Sequence, residues 1–458
     1  MKFSRIDKMF VDRDKVSSEE AQSRRSKFEV AILCGSDVGG SRCLQLAVLT
    51  AAAIADRCFP GAVRVAIPPD VADAPCLAWA GMEQSFGDAL RESASARLVS
   101  IVDVEPTTHC LVFGDADAAD HGLRVTFDGW IARVGPVGSL VRSQERPHNP
   151  LSAVLAAALA VSELFLGFAE ITMEAGRRIV MLSLWRPDLA DDDPLALGPV
   201  VEFLPASAWI LGLGHLGNAY LWALGALPYA DPKAMEFGLF DFDRVELENY
   251  ETGLIFRVDD EQRLKTRVCN EWLERRHFRT RLVERRFDET FRIQKEEPLI
   301  ALCGFDSNAA RQQLPSAKFA RVFESGLGGT SANFDTIGLH TLPNARVVAE
   351  LWPVPPPEEL AVQTAEAERQ ARANPGYRDL AADDCGRALL AGKAVAVPFV
   401  GVTAATLVVS EVLRLLHEGV RFTDGKLRVG DIQARSFRPN GSYEVADLVG
   451  IANTRAQT

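Results

Sequence analysis

The stretch Ala208–Asp243, AWILGLGHLGNAYLWALGALPYADPKAMEFGLFDFD, decides how this chain folds. An apolar run, Trp209 to Leu211, reads as a buried strand. It turns through Gly212, Gly214 and Gly217 into an alanine- and leucine-rich helix. Glycines permit the tight turn and let backbone N–H groups approach an anion, and the helix N-terminus adds the positive end of its dipole. A second apolar strand, Phe237 to Phe240, ends in Asp241 and Asp243, where a carboxylate can accept ribose hydroxyls. Strand, glycine turn, helix, strand and acid together predict a nucleotide site.

Working outward, 458 residues are too many for one ordinary core and suggest two or three domains. The apolar and charged fractions, 47% and 24%, are those of a globular protein. A net charge of -12 argues against gripping nucleic acid, which needs clustered Lys and Arg. None of the eight cysteines forms a CxxC pair or a zinc spacing, so no structural zinc is expected. Most lie in apolar runs and read as buried fillers. The N-terminus MKFSRIDKMFVDRDK lacks a secretory pattern, so the reducing cytoplasm is expected. Phe203–Ala230 is broken by glycines and prolines, and Ala394–Ser410 is short and contains Pro398, so no membrane span is expected.

The first half follows a similar plan. SSEEAQSRRSK reads as a short exposed helix, Val30–Gly35 as a strand, and Arg42–Asp56 as a helix after SDVGGS. The next strand, Val63–Ile67, ends in Pro68 and Pro69 instead of an acid, and Asp37 in the turn would repel phosphate. This half is therefore expected to have the fold without the nucleotide. Strands are read at Cys110–Phe113 and Trp130–Val134. NPLSAVLAAALAVSELFLGF (Asn149–Phe168) has a counterpart in VPFVGVTAATLVVSEVLRLL (Val397–Leu416), which suggests an internal duplication. The Asp- and Pro-rich run Arg186–Pro199 reads as a linker. The expected division is residues 1–185, linker 186–199 and residues 200–458. In the last part, Asp259–Arg276 reads as a charged helix and Leu299–Cys303 as a strand leading into GFDSNAARQQL. Pro353–Pro357 then breaks the pattern ahead of a charged segment ending at Cys385.

GLGHLG, then LFDFDRVELEN, then a lysine sixteen residues beyond that asparagine, then GFDSNAAR, resembles the ubiquitin-activating-enzyme-like superfamily of ThiF/MoeB-type adenylyltransferases. The resemblance covers Trp209 to about Gly419 and reaches the first half only in outline. It implies an α/β protein of two tandem Rossmann-like, doubly wound sheets, the first degenerate and the second an active adenylation fold, paired as an intramolecular pseudo-dimer. ATP and Mg²⁺ are the implied cofactors. Gly212, Gly214 and Gly217 would cradle the nucleotide, Asp241 would bind the ribose, and Asn249 and Lys265 would contact the triphosphate. Asp306 would hold the metal and Arg311 would orient its loop. Arg5, in MKFSRID, matches an arginine that the opposite fold supplies. Cys385, in a loop of about residues 353–393, would take the acyl group as a thioester, its thiolate favoured by Arg387 or Lys393 and opposed by Asp383 and Asp384.

The implied partners are a small ubiquitin-like protein with a C-terminal glycine tail, because a side chain there would clash in the channel beneath ATP, and a conjugating enzyme. The overall plan resembles activating enzymes of bacterial ubiquitin-like conjugation systems, some of which serve antiviral defence. One departure stands out: the family's NxxR arginine is Thr252 in NYET, and Arg257 is the candidate replacement. Two other readings remain. An NAD(P)-binding oxidoreductase accounts for the glycines and Asp241 but gives Asn249, Lys265, Asp306 and Arg311 no joint role. A catalytically silent binding module accounts for Thr252. His215 is assigned no proton transfer, and the acidic run Asp191–Asp193 reads as solvated linker.

Overall fold

Val30–Cys34 and Ser207–Leu211 are apolar runs without alternation, as strands covered on both faces require. Each lies inside a sheet of the computed structural model, which describes residues 4–457 other than 80, 95–96, 100–108, 118–121, 191–192 and 378–389. The first sheet has the order β3 (Arg97–Val99), β2 (Val63–Ala66), β1 (Val30–Cys34), β4 (His109–Phe113), β5 (Leu123–Asp128), β6 (Ile131–Pro136), β7 (Val180–Ser183). The second has the order β11 (Arg279–Val283), β10 (Glu236–Phe240), β9 (Ser207–Leu211), β12 (Ile300–Cys303), β13 (Arg321–Leu327), β14 (Thr336–Leu342), β15 (Val420–Arg428), β16 (Asp431–Ser442).

The seven strands of the first sheet correspond in order and polarity to the first seven of the second, which adds β16 beyond β15. In each sheet the first five strands are parallel and the next two run antiparallel. The sheets are therefore mixed α/β sheets dominated by parallel pairing. Helix Leu151–Phe168 joins β6 to β7, and helix Pro398–Leu416 lies between β14 and β15, so the two apolar helices noted in the sequence hold equivalent places.

Strand alternation sorts side chains between layers. Val30, Ile32, Ala208 and Ile210 enter one core cluster that spans both halves, whereas Ala31 and Leu33, and Trp209 and Leu211, face separate outer clusters. The shared cluster is filled by helices Arg42–Cys58 and Leu151–Phe168 of the first half and His215–Gly225 and Pro398–Leu416 of the second. Across this joint the Phe165 ring meets Phe399 at 5.5 Å and Phe334 at 6.4 Å between centroids. Trp79 packs edge-on against Trp222 at 4.8 Å and Trp272 at 5.7 Å. Leu151–Phe168 and Pro398–Leu416 are long and apolar enough to cross a membrane, yet both are buried in this core.

Three sequence expectations are corrected. The charged helix is only Lys265–Glu274, because a 3-10 turn at Val258–Asp260 and a left-handed Gln262 (φ 68°) stop it from starting earlier. Helix Ser18–Ser26 is not simply exposed: Arg25 is 1% exposed and pairs with Asp7 at 2.7 Å. The linker is tied down, with Arg435 donating to the carbonyls of Pro187 (2.8 Å) and Leu189 (2.6 Å), and Trp130 Nε1 donating to Pro199 at 2.6 Å. Asp193 caps the turn Pro194–Leu197, and residues 191–192 lie outside the described residues.

A core shared by both halves predicts that they unfold together. Phe165→Ala should cost about 3–5 kcal/mol in urea denaturation, with one transition seen by tryptophan fluorescence and far-UV circular dichroism alike. Two separated transitions would contradict the shared core.

Candidate functional site

The sheet order reverses at β9, which lies between β10 and β12, and the carboxyl ends of these three strands form a crevice of the kind where open α/β sheets bind ligands. Each glycine of the turn leaving β9 has a separate physical reason. Gly212 adopts φ +81°, a left-handed conformation that a side chain resists. A Cβ on Gly214 would meet nothing within 4 Å, so the backbone lies open just before helix His215–Gly225. A Cβ on Gly217 would sit 1.8 Å from the Gly212 carbonyl oxygen, so only glycine lets the helix pack this closely. No side chain caps the helix, whose first turn directly follows the open Gly214, as an anion site would require.

Asp241, at the end of β10, is buried and braces this turn. Its Oδ2 accepts the Leu213 N–H at 2.6 Å and its Oδ1 accepts the Asp243 N–H at 2.8 Å. Burial pushes its pKa up, and Lys265 and the two amides oppose that. Lys265 opens its helix from a buried position, its N–H donating to the Asp243 carbonyl at 3.0 Å and its Nζ lying 3.2 Å from Asp243 Oδ2. Asn249, on the short helix Leu247–Thr252, uses Oδ1 to accept the Glu246 N–H at 2.9 Å.

Asp306 is exposed on the loop after β12. That loop touches the glycine turn: a Cβ on Gly212 would lie 3.1 Å from the Phe305 ring, and one on Gly304 would lie 3.0 Å from the Gly217 nitrogen. Arg311 donates to the Phe305 carbonyl at 2.6 Å and to Asn308 Oδ1 at 3.2 Å, bracketing Asp306. No described residue donates a hydrogen bond to the Asp306 carboxylate, and no cluster of three or more His, Cys, Asp or Glu suited to a metal occurs among the described residues. One available carboxylate fits Mg²⁺ brought with phosphate oxygens and water, which is its usual mode beside nucleotides.

Arg5 reaches this crevice from the N-terminal segment. Its Nε donates to the Ala394 carbonyl at 2.9 Å. Burial lowers its pKa, and Glu248, Asp306 and Glu246, in that order, oppose the shift. Lys393 pairs with Glu248 at 2.6 Å and Glu246 at 3.5 Å. Glu248 is raised mainly by burial, while the Glu248 hydrogen bond holds Glu246 down; Lys265 also lies within range of Glu246. The crevice thus gathers Asp241, Lys265, Arg5 and Asp306 around this Glu246–Glu248–Lys393 group. Sequence reading assigned the two glutamates no role, although Glu246 is part of the LFDFDRVELEN match; it named Lys393 only as a neighbour of Cys385.

Thr252 is buried, 2% exposed, where the family has arginine. Arg257 does not take that place: its guanidinium pairs with Glu92 of the first half at 2.7 Å. The segment after helix Leu247–Thr252 is held by Arg57 of the first half, which donates to the carbonyls of Gly253 (2.8 Å) and Leu254 (3.2 Å). Cys385, with Asp383, Asp384 and Arg387, lies outside the described residues. The other seven cysteines are buried; burial raises Cys303 to about 12 and Cys43 to about 11.

The corresponding crevice of the first half is filled by its own side chains. Asp37 Oδ1 accepts the Asp115 N–H at 2.9 Å, Ser36 donates to Asp115 at 2.8 Å, and Arg142 pairs with Asp37. A Cβ on Gly35 or Gly114 would lie 2.1 Å from Asp115 or Asp37. Carboxylates stand where an anion would have to enter.

Residues 29–184 match the family described as BilD N-terminal domain, and residues 204–419 that described as BilD C-terminal domain. The bacterial E1-like protein BilD of Collimonas sp. (strain OK412) is 36% identical over 426 residues, 91% of this chain and 89% of that protein. Among solved structures, E. coli MccB with MccA-N7isoASN aligns at 16% identity over 52% of this chain and 66% of that one, with a TM-score of 0.36. E. coli MccB with ATP aligns at 13% identity over 70% and 96%, also at 0.36. These two overlaps are too loose to build on.

His215 closes the site from behind, and it yields a pH test. Its Nε2 is enclosed and lacks a partner, and a Cβ on Gly401 would lie 2.2 Å from that atom. Burial and the Arg5 charge push its pKa down to about 3, against the Pro398 backbone contact. Between about pH 6.5 and that value the unfolded chain binds a proton that the native one refuses, so stability falls as pH drops through this window. The residue as a whole keeps some exposure, so we expect about 1 kcal/mol lost from it between pH 7 and 5, below the ~2 of full desolvation. His215→Gln should shrink the pH 7 to 5 loss in urea denaturation by that amount; an unchanged loss would show that His215 does not contribute.

Proposed function

The chain belongs to the BilD family of bacterial E1-like proteins, and on that premise we propose that it activates a small ubiquitin-like protein in the cytoplasm using ATP. In the first step a C-terminal glycine carboxylate oxygen attacks the α-phosphorus and pyrophosphate leaves, giving an acyl-adenylate. In the second the Cys385 thiolate attacks the acyl carbon, the C–O bond to AMP breaks, and a thioester remains for transfer to a conjugating enzyme. Service in antiviral defence belongs to the same reading.

One observation carries the proposal: an open, uncapped glycine turn shares its crevice with Asp241, Lys265, Arg5 and an exposed Asp306. The helix amides and Gly214 suit phosphate, and the bracing of Asp241 leaves each carboxylate oxygen further lone pairs for ribose hydroxyls. Lys265 and Arg5 would offset the negative charge that builds on the phosphoryl oxygens and pyrophosphate. Asp306 would hold Mg²⁺, which when bound supplies further charge neutralisation at the phosphates. Asn249 keeps its amide NH₂ to donate, because its carbonyl oxygen is used locally. Hydride transfer would leave Lys265 and Asp306 without a role.

ATP–pyrophosphate exchange in the presence of the carrier protein tests the first step. Lys265→Ala should lower it about 100-fold and Arg5→Ala about tenfold, each with a melting temperature near wild type. Absence of exchange in the wild-type protein would leave only the silent-module reading.

Cys385→Ala should leave exchange intact and abolish the conjugate that dithiothreitol releases. A reducible conjugate surviving in that variant would remove Cys385 from the mechanism.

A further inference from the structure

Behind the Asp306 loop, a buried carboxylate on the neighbouring strand has no role in the chemistry above. Glu324, on β13, is 1% exposed. Its Oε1 lies 3.1 Å from Arg311 Nε, a charge pair without hydrogen-bond alignment, and its Oε2 lies 2.8 Å from His340 Nδ1 on β14. Burying a carboxylate costs several kcal/mol unless its partners are held in place. Here the partner is the Arg311 fork, which staples the residue before Asp306 and the second residue after it. Gly326, on the same strand, lies beside that fork: a Cβ there would stand 3.5 Å from Nη1, an ordinary contact.

We propose that Glu324 is a positioning residue: its buried charge fixes the Arg311 guanidinium, which sets where the Asp306 carboxylate stands. The inference rests on the reading of Asp306 as the metal-holding carboxylate. His340 anchors the far oxygen of Glu324 and packs edge-on against Trp352, 5.7 Å between centroids. The other end of the assembly is fixed as well: Asn308 donates to the Pro353 carbonyl at 2.9 Å and Gln312 to the Trp352 carbonyl at 2.7 Å. A carboxylate on an exposed loop thus acquires a fixed position from three elements behind it.

Removing the charge should therefore loosen metal binding and spare nucleotide binding. The full chain is titrated with Mn²⁺ by electron paramagnetic resonance in the presence of a non-hydrolysable ATP analogue, and nucleotide affinity without metal is measured by calorimetry. Glu324→Gln, close in shape and retaining an acceptor for His340, should raise the half-saturating Mn²⁺ concentration about tenfold and change metal-free nucleotide affinity less than about threefold. Arg311→Gln should do the same, and the double variant should be no worse than either single one, as members of one unit behave.

A wild-type Mn²⁺ titration in Glu324→Gln, losses that multiply in the double variant, or equal losses of nucleotide with and without metal would each overturn the proposal. Wild-type protein that binds Mn²⁺ with the analogue but does not exchange pyrophosphate would sink the adenylation reading and leave this inference standing. Wild-type protein with no metal-dependent binding would sink the inference.

Discussion

The site depends on guanidinium groups of the first half that are buried against the second. Arg25 and Arg57 are 1% and 4% exposed. Arg25 pairs with Asp7 at 2.7 Å, reaches Glu251 at 3.4 Å, and donates to the carbonyls of Arg57 and Cys58. Arg57 spends its N–H groups on the carbonyls of Gly253, Leu254 and Ala53 and stacks over Tyr250, whose hydroxyl donates to Asp56 at 2.8 Å. A buried guanidinium left without these acceptors would cost several kcal/mol, so the segment after Asn249 is held to the first half. Separating the halves would strand both arginines and open a continuous apolar layer.

That dependence gives the first half a purpose after its own crevice has been filled. Both halves use the same strand order, and in both a loop after the first strand meets a loop after the fourth. In the first half Asp37 and Asp115 lock these loops together. In the second half the corresponding meeting is of backbone and an aromatic ring, Gly212 with Gly304 and Phe305, and Gly214 is left open. The topology is shared, and the chemistry at the strand ends separates a closed crevice from an open one. The N-terminal segment adds Arg5 to the open one, and that segment is itself held by Asn374 donating to Val11 and Tyr377 donating to Asp12.

Charge at the crevice follows local pairing and not the acidic total of the chain. Lys265, Arg5 and Lys393 stand among Asp241, Asp243, Glu246 and Glu248. The carboxylates offset the repulsion among cations packed this closely, most strongly where the partner is buried, as Asp241 is, since Asp243 and Glu246 are exposed.

The sequence by itself determined the fold class, the two tandem sheets, the nucleotide-type turn and the two matched helices, because each is a local pattern: apolar runs of strand length, glycines at fixed offsets, and long buried helices. Its resemblance to the ThiF/MoeB-type adenylyltransferases also pointed to Asp241, Asn249, Lys265, Asp306 and Arg311. Tertiary structure alone decided what those patterns could not contain. Arg257 joins Glu92 instead of the crevice, Thr252 is buried, and Glu246, Glu248 and Glu324 gain their roles from residues on other elements. Pairing of charges across a fold is set by packing between elements, and no periodicity in one strand or helix encodes which partner will face it.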